Sequence, residues 1–176
     1  TQMVKDIASD DFVVAYAPDN ASGYMMYGYV KNYPLNALWG FKDCGTWKNQ
    51  EEIDRNKVTK AYVGKTMSVG YSRYADINHD GIINKDDLVY LGSADPIVYG
   101  GIQNTFNIYG FSLGVYFAYS LGGKIYNVSE LHLGSGSPFT NQMRYMQNAW
   151  HPTRNPQSNL PVAGAYDKLP SSRYVH

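Results

Sequence analysis

Two segments in the second half of the chain alternate between two sets of side chains with a period of two residues. The first, residues 99–109, places Ile102, Asn104, Phe106 and Ile108 on one face. The second, residues 111–121, carries small and hydroxyl-bearing side chains on one face and an apolar row on the other: Phe111, Leu113, Val115, Phe117 and Tyr119. A period of two residues predicts β-strands, and Gly110 between them predicts a tight turn. We therefore expect an antiparallel hairpin.

The length and faces of this predicted hairpin allow two interpretations. Each arm has about 11 residues, which suits a tilted membrane strand better than the roughly 5–6 residues of an average soluble strand. An apolar row opposite a small, polar row is typical of a membrane barrel wall, with lipid outside and a polar lumen inside. A soluble sandwich hairpin whose apolar face covers a core shows the same pattern. Periodicity alone leaves both open.

The first third of the chain predicts shorter elements. The apolar run 12–17 ends at a Pro-Asp-Asn turn, and residues 24–30 and 38–47 are also β-prone. Asn49, followed by two acidic residues, predicts a short helix over 50–57. The sequence therefore predicts an all-β fold with short helical turns.

Beyond Asn127 the periodicity is lost and Gly, Ser, Pro and Asn accumulate. Only residues 141–149 indicate a helical turn. So long an irregular segment is unusual inside a compact soluble domain and typical of a functional loop. We expect residues 122–176 to form a long loop.

Composition narrows the classes of function. The 15 Lys and Arg residues balance the 15 Asp and Glu residues, which argues against a nucleic-acid partner. Charged residues make up only 17%, while Tyr and Gly each number 17, and this balance favours β structure. No apolar run approaches the roughly 18 residues that a membrane helix needs. The single cysteine, Cys44, excludes an intrachain disulfide.

Residues 76–87 match a twelve-residue calcium loop. Gly81 stands at position 6, where such a loop turns sharply, and His79 at position 4 points outward. Calcium prefers six to eight oxygen ligands, and the loop offers side-chain oxygens and one carbonyl, that of Ile82, at the required spacing. The predicted ligands are Asp76, Asn78, Asp80, Ile82, Asn84 and Asp87. Asp87 replaces the usual Glu at position 12, so weak binding is expected, and a metal-free Asx-turn is the alternative.

The remaining motifs do not indicate catalysis. Residues 63–66 resemble part of a phosphate-binding loop, but the required first Gly is Thr59. Neither a zinc-protease helix motif nor a nucleophile elbow occurs. Four aromatic residues lie among polar residues and could contact a substrate or a partner, although each could instead anchor its own loop: Trp47, Tyr145, Trp150 and Tyr166.

The order of several short motifs resembles the region near the C-terminus of SusC/RagA-like TonB-dependent outer-membrane transporters. The resemblance covers at least residues 33–127. It is specific, because the acidic loop is followed at the right distance by the hairpin. The motifs are YPLNALWGF at 33–41, WKNQEEI at 47–53, RYADINHDGIIN at 73–84, YLG at 90–92, YGG at 99–101, NTF at 104–106 and GKIYN at 123–127.

This resemblance implies part of a large antiparallel transmembrane β-barrel of roughly 22 strands with long extracellular loops. It implies a location in the outer membrane of a Gram-negative bacterium. It also implies uptake of oligosaccharides or peptides, a SusD-like surface lipoprotein as partner, energy from TonB, and no enzyme activity. The apolar row 111–119 would face lipid, and calcium would stiffen an extracellular loop.

The resemblance also divides the chain. Residues 1–48 would supply barrel strands, 49–98 an extracellular loop, 99–121 the membrane hairpin, and 122–176 a second extracellular loop. The family's plug domain, TonB box and final strands have no counterpart, so we expect a fragment of a longer transporter. The alternative is a soluble, calcium-stabilised β-module that binds carbohydrate.

Overall fold

The computed structural model describes residues 2–5, 13–16, 27–56, 67–134, 136, 141–164, 169 and 171–176. Strands dominate these residues, as the all-β prediction requires. In chain order the elements are β1 (Val13–Tyr16), β2 (Tyr27–Tyr29), β3 (Ala37–Gly40), β4 (Asp43–Thr46), α1 (Gln50–Asn56), β5 (Ser72–Tyr74), β6 (Val89–Ser93), β7 (Pro96–Ile108), β8 (Phe111–Gly122) and α2 (Val128–Leu133). Short 3₁₀ turns cover Lys85–Asp87, Arg144–Asn148 and Ser172–Tyr174. Within the described residues, no helix is both long and apolar enough to cross a membrane.

Four strands form an antiparallel sheet in the order β1-β2-β3-β6. Ala37 pairs with Ser93 and Gly40 with Val89, so β6 joins strands from the first third of the chain. The segment predicted as the loop 49–98 therefore contains a strand of this sheet. The predicted strand 38–47 is in fact two strands in different sheets, because the chain leaves β3 at Phe41 and re-pairs from Asp43.

A two-stranded sheet, β4-β5, contributes Tyr74 to the main hydrophobic cluster. Asp43 pairs with Tyr74 and Thr46 with Ser72. Helix α1 is held at its start by the Asn49 side chain, which accepts a hydrogen bond from the Glu52 backbone N–H at 2.8 Å. The buried members of the cluster come from distant parts of the chain: Phe41, Trp47, Ile53, Met67, Tyr74, Ile83 and Leu169.

The end of the chain packs onto this core, contrary to the expectation of one long loop over 122–176. Arg173 makes two hydrogen bonds to the Asp43 carboxylate, at 2.7 and 3.0 Å, and both side chains are largely buried. Tyr126, Leu131 and Tyr174 form a second buried cluster. The predicted helix over 141–149 is a 3₁₀ turn, with Met146 as its buried residue.

Strands β7 and β8 form the predicted hairpin, and both are slightly longer than expected. They contain 13 and 12 residues and pair from Pro96 opposite Gly122 to Ile108 opposite Phe111. The hairpin meets the sheet at its open end, where the Lys124 N–H donates to the Ser93 carbonyl at 2.7 Å and Ala94 N–H donates to Asn36.

Candidate functional site

The register of the hairpin places the apolar rows of both strands on one face. Directly opposed residues share a face of an antiparallel pair. The apolar face contains the pairs Ile102 with Phe117, Phe106 with Leu113, and Ile108 with Phe111. Asn104, opposite Val115, is the polar exception on this face. The alternation read from the sequence therefore produces an apolar surface that Asn104 interrupts.

This apolar face is exposed. Phe111 is 81% exposed, Phe117 66% and Leu113 61%. The residues of the face belong to neither of the two hydrophobic clusters. The soluble alternative requires that this face cover a core, and the described part of the chain provides none for it. An exposed apolar surface of this extent marks a contact with lipid or with another protein surface.

The opposite face of the hairpin carries amide, hydroxyl-bearing and small side chains, including the tyrosines Tyr99 and Tyr116. It carries Gln103, Thr105 and Asn107 from β7, and the Ser112 hydroxyl donates to the Asn107 side chain at 2.6 Å. The connecting turn has only two residues, Tyr109 and Gly110, with φ values of 44° and 84°. Positive φ at both central residues is what a type I′ hairpin turn requires, and glycine adopts it without strain.

Short hydrogen bonds shape the acidic loop 76–87. The Asp76 carboxylate accepts from the Gly81 N–H at 2.8 Å, and the Asp80 carboxylate accepts from the Ile82 N–H at 2.8 Å. The Asn78 side-chain oxygen accepts from the Asp80 N–H at 3.0 Å. Gly81 has a φ of 81°, in agreement with the sharp turn predicted at position 6.

Two buried residues anchor the acidic loop. Asp87 is 0% exposed, and its carboxylate accepts from the backbone N–H groups of Ile77 and Asn84, each at 2.8 Å. Ile83, also 0% exposed, inserts into the main hydrophobic cluster. Asp87 thus ties the two ends of the loop together, and Ile83 fixes the loop to the core.

The loop offers oxygen atoms, which are the kind of ligand that a hard cation prefers. Asp76 Oδ1 is buried and has no hydrogen-bond partner, and a buried unsatisfied carboxylate oxygen is a group that a cation would satisfy. The described residues do not, however, bring three His, Cys, Asp or Glu side chains into an arrangement that could hold a metal ion. The Asx-turn hydrogen bonds fit the metal-free alternative, whereas the unpaired Asp76 oxygen fits a bound cation. The calcium site therefore stays a prediction.

The four aromatic residues that were predicted to contact a substrate or a partner have different surroundings in the structure. Trp47 is 1% exposed and packs in the main cluster, so its prediction as a substrate or partner contact is wrong. The Trp150 ring lies on Gly70, and its Nε1 donates to the Pro156 carbonyl at 3.0 Å. Trp47 and Trp150 are therefore both anchors of their own segments. Tyr166 lies outside the described residues.

Tyr145 is half-buried and bonded to an acidic residue. Its hydroxyl donates to Glu130 at 3.2 Å. Burial, together with the Glu130 charge, raises the pKa of Tyr145 to about 12. The hydroxyl is therefore a neutral donor that ties residues 144–148 to α2.

Lys48 is a residue that sequence reasoning missed. Its ammonium donates to Thr46 Oγ1, the Gln157 carbonyl and Asn159 Oδ1 at 2.9–3.0 Å, and also to the Ser158 carbonyl. Burial lowers the pKa of Lys48, although the charge of Glu52 opposes this shift. Thr46 is a near neighbour, but the other three acceptors lie more than 100 positions away along the chain, so no local pattern could have revealed them.

No protein-family model matches the chain. The chain is similar to two curated proteins of Formosa agariphila. It is 36% identical over 140 residues to TonB-dependent receptor P26, a match that covers 77% of this chain and 13% of that protein. It is 34% identical over 175 residues to TonB-dependent receptor P3, a match that covers 99% of this chain and 17% of that protein. The chain therefore spans less than a fifth of the length of these relatives.

Proposed function

We propose that this chain, which is homologous to TonB-dependent receptors over nearly its whole length, is a segment of an outer-membrane transporter. The observation that carries the proposal is the hairpin β7-β8, with its exposed apolar face and its polar opposite face. In a barrel wall the apolar face contacts lipid and the polar face lines the lumen. Phe111, Leu113, Val115, Phe117 and Tyr119 are the lipid-facing residues of β8.

The hairpin also gives the segment an orientation. Membrane barrels have short periplasmic turns and long extracellular loops. The two-residue turn at Tyr109 and Gly110 then lies at the periplasmic side. The acidic loop precedes the open end of the hairpin and residues 123–134 follow it, so both lie outside the cell.

The order of motifs from residue 33 to residue 127 supports the narrower assignment to SusC/RagA-like transporters. On this assignment the complete protein imports oligosaccharides or peptides, uses energy delivered by TonB, and works with a SusD-like surface lipoprotein. This segment supplies wall and extracellular surface, and it performs no catalysis.

Calcium is the ion proposed for the acidic loop. Asp76, Asn78, Asp80, Asn84 and Asp87 would hold it with side-chain oxygens, together with the Ile82 carbonyl. The ion would neutralise the clustered carboxylates and stiffen the loop. The orphaned Asp76 Oδ1 supports this proposal.

Limited proteolysis of the purified receptor tests the calcium site. Calcium should protect residues 73–90 from cleavage, and Asp80→Ala should abolish that protection. Asp86→Ala is the matched control, because Asp86 is exposed and stands at a position with no predicted ligand. Calcium-independent cleavage of the unmodified receptor would exclude the metal assignment.

Fractionation of source cells tests the transporter proposal. An antibody against residues 51–87 should detect, in detergent-extracted outer membranes, a protein several times larger than the 19.7 kDa of this chain. A band of 19.7 kDa in the soluble fraction would instead support the soluble β-module.

A further inference from the structure

Two adjacent glycines of β7, Gly100 and Gly101, each lie under a tyrosine ring of β8. A Cβ atom at Gly100 would stand 2.6 Å from the Tyr119 hydroxyl oxygen, and one at Gly101 would stand 2.7 Å from that of Tyr116. Neither glycine has a positive φ, so the backbone conformation does not demand glycine at either position. The missing side chains instead leave room for the rings. We term the pairs Gly100–Tyr119 and Gly101–Tyr116 the glycine seats.

The two glycine seats lie on opposite faces of the hairpin. Gly100 is directly opposite Tyr119 on the apolar face, and Gly101 is diagonal to Tyr116 on the other face. Directly opposed and diagonal neighbours are both within reach of an aromatic side chain. A glycine inside a strand weakens it, and here each glycine is covered by a ring from the neighbouring strand. The seats therefore join the two strands on both faces.

The connecting turn does not by itself favour the observed register. Tyr109 occupies its first central position with a φ of 44°, where a bulky residue other than glycine is strained. A shift of the pairing by two residues would place Gly110 and Phe111 at the centre of the turn. Glycine at the first central position is what a type II′ turn requires, so the shifted turn would avoid this strain. Local turn chemistry thus favours the shifted register.

The apolar pattern does not decide between the two registers either. A shift by two residues leaves every side chain on its own face, because the side-chain period of a strand is two. The shift does change what lies under the tyrosines. Tyr119 would face Ile102, and Tyr116 would lie diagonal to Gln103, both of which carry a Cβ atom. Both rings would lose their seats.

We propose that the two glycine seats set the register of the hairpin against the preference of its turn. The observed register brings the Lys124 N–H to 2.7 Å from the Ser93 carbonyl, where the hairpin meets the four-stranded sheet. A shift by two residues would displace this junction by about 7 Å. The seats therefore align the hairpin with the sheet. This inference goes beyond the transporter proposal, since it holds whether the apolar face contacts lipid or protein.

Disulfide trapping in the full-length receptor in outer membranes measures the register. Phe106→Cys with Leu113→Cys places two thiols directly opposite each other in the observed register, whereas Phe106→Cys with Val115→Cys does so in the shifted register. Directly opposed Cβ atoms are about 4.5–5.5 Å apart and diagonal ones about 7–8 Å, so the oxidant joins mainly the opposed pair. Cys44→Ser removes the native thiol of this chain from every variant.

The 106–113 disulfide should predominate in the receptor with both glycine seats. Gly100→Ala combined with Gly101→Ala should lower the ratio of the 106–113 to the 106–115 disulfide about tenfold, because each aromatic cross-strand pair is worth up to about fivefold. Gly114→Ala is the matched control. This glycine of β8 also lacks a positive φ, and a Cβ there would meet no atom within 4 Å. An unchanged ratio in the double variant, or an equal fall in Gly114→Ala, would overturn the inference.

Tyr109→Asn provides a second, independent measurement. Asparagine followed by glycine readily forms a type I′ turn, so this substitution should restore the 106–113 disulfide in the receptor that lacks both seats. Where the double variant does not reach its folded, heat-modifiable form, Tyr109→Asn should recover folding, and no recovery would refute the role of the seats. A receptor that stays folded in the outer membrane with an unchanged ratio refutes this inference and leaves the transporter proposal intact.

Discussion

Substitution of Val115 by Arg is the most direct test of the lipid-facing surface. Val115 lies on the apolar face of β8, five residues from the turn, opposite Asn104. At about 3.4 Å per residue and a tilt of about 40°, it stands roughly 10 Å from the periplasmic end of the strand. The apolar band of a barrel is about 25 Å tall, so Val115 lies near the midplane.

The expected cost follows from this depth. An arginine on the lipid face near the midplane costs about 2–4 kcal/mol. At about 1.4 kcal/mol per tenfold, this corresponds to a roughly 30- to 700-fold shift toward the unfolded receptor. Thr105→Arg is the control at similar depth. Thr105 lies on the polar face opposite Gly114, where a Cβ would meet no atom within 4 Å, so we expect a cost below about 1 kcal/mol.

The assay has two parts. The folded fraction in outer membranes is read from heat-modifiable gel mobility, and the free energy of unfolding is measured in lipid vesicles with guanidinium. Val115→Arg should lower both quantities, while Thr105→Arg should leave both near the unmodified values. Equal losses in the two variants, or no loss in Val115→Arg, would refute the assignment of the apolar face to lipid.

Two further substitutions test how the rest of the segment is held together. Ile83→Ala should destabilise the acidic loop and the main cluster by about 2–5 kcal/mol, because Ile83 is fully buried, and faster hydrogen exchange over 67–88 would show it. Ile77→Ala, at a 46% exposed position of the same loop, should cost under about 0.5 kcal/mol, and comparable exchange in both variants would contradict the anchoring role. Arg173→Ala leaves the buried Asp43 carboxylate without its cation and should cost about 3–5 kcal/mol. Chymotryptic cleavage after Tyr174, which is 2% exposed, should then accelerate, and an unchanged rate would contradict the pairing.

The hairpin and the acidic loop could be predicted because their signals are local. Alternation at a period of two residues fixes which side chains share a face, and the register confirms that both strands present one apolar row. Gly81 adopts the positive φ that its place in the loop demands. In both cases neighbouring residues alone determine the conformation.

Other features depend on contacts between distant residues, and local patterns could not reveal them. The chain leaves β3 at Phe41, which pairs with Ser171 across 130 positions, so the predicted strand was split. Trp47 lies among polar residues in the sequence, yet it is buried by residues that arrive from other segments. The fixed position of Lys48 has the same origin.

The sequence from Pro96 to Gly122 contains no Asp, Glu, Lys, Arg or His. On the proposed membrane placement, assembly of this hairpin therefore moves no formal charge through the hydrocarbon. The chain reaches the outer membrane from the periplasm, so the two-residue turn at Tyr109 and Gly110 stays on the side from which it came. The charged residues of the acidic loop are the ones that must cross the membrane, and the hairpin adds no charge of its own to that cost.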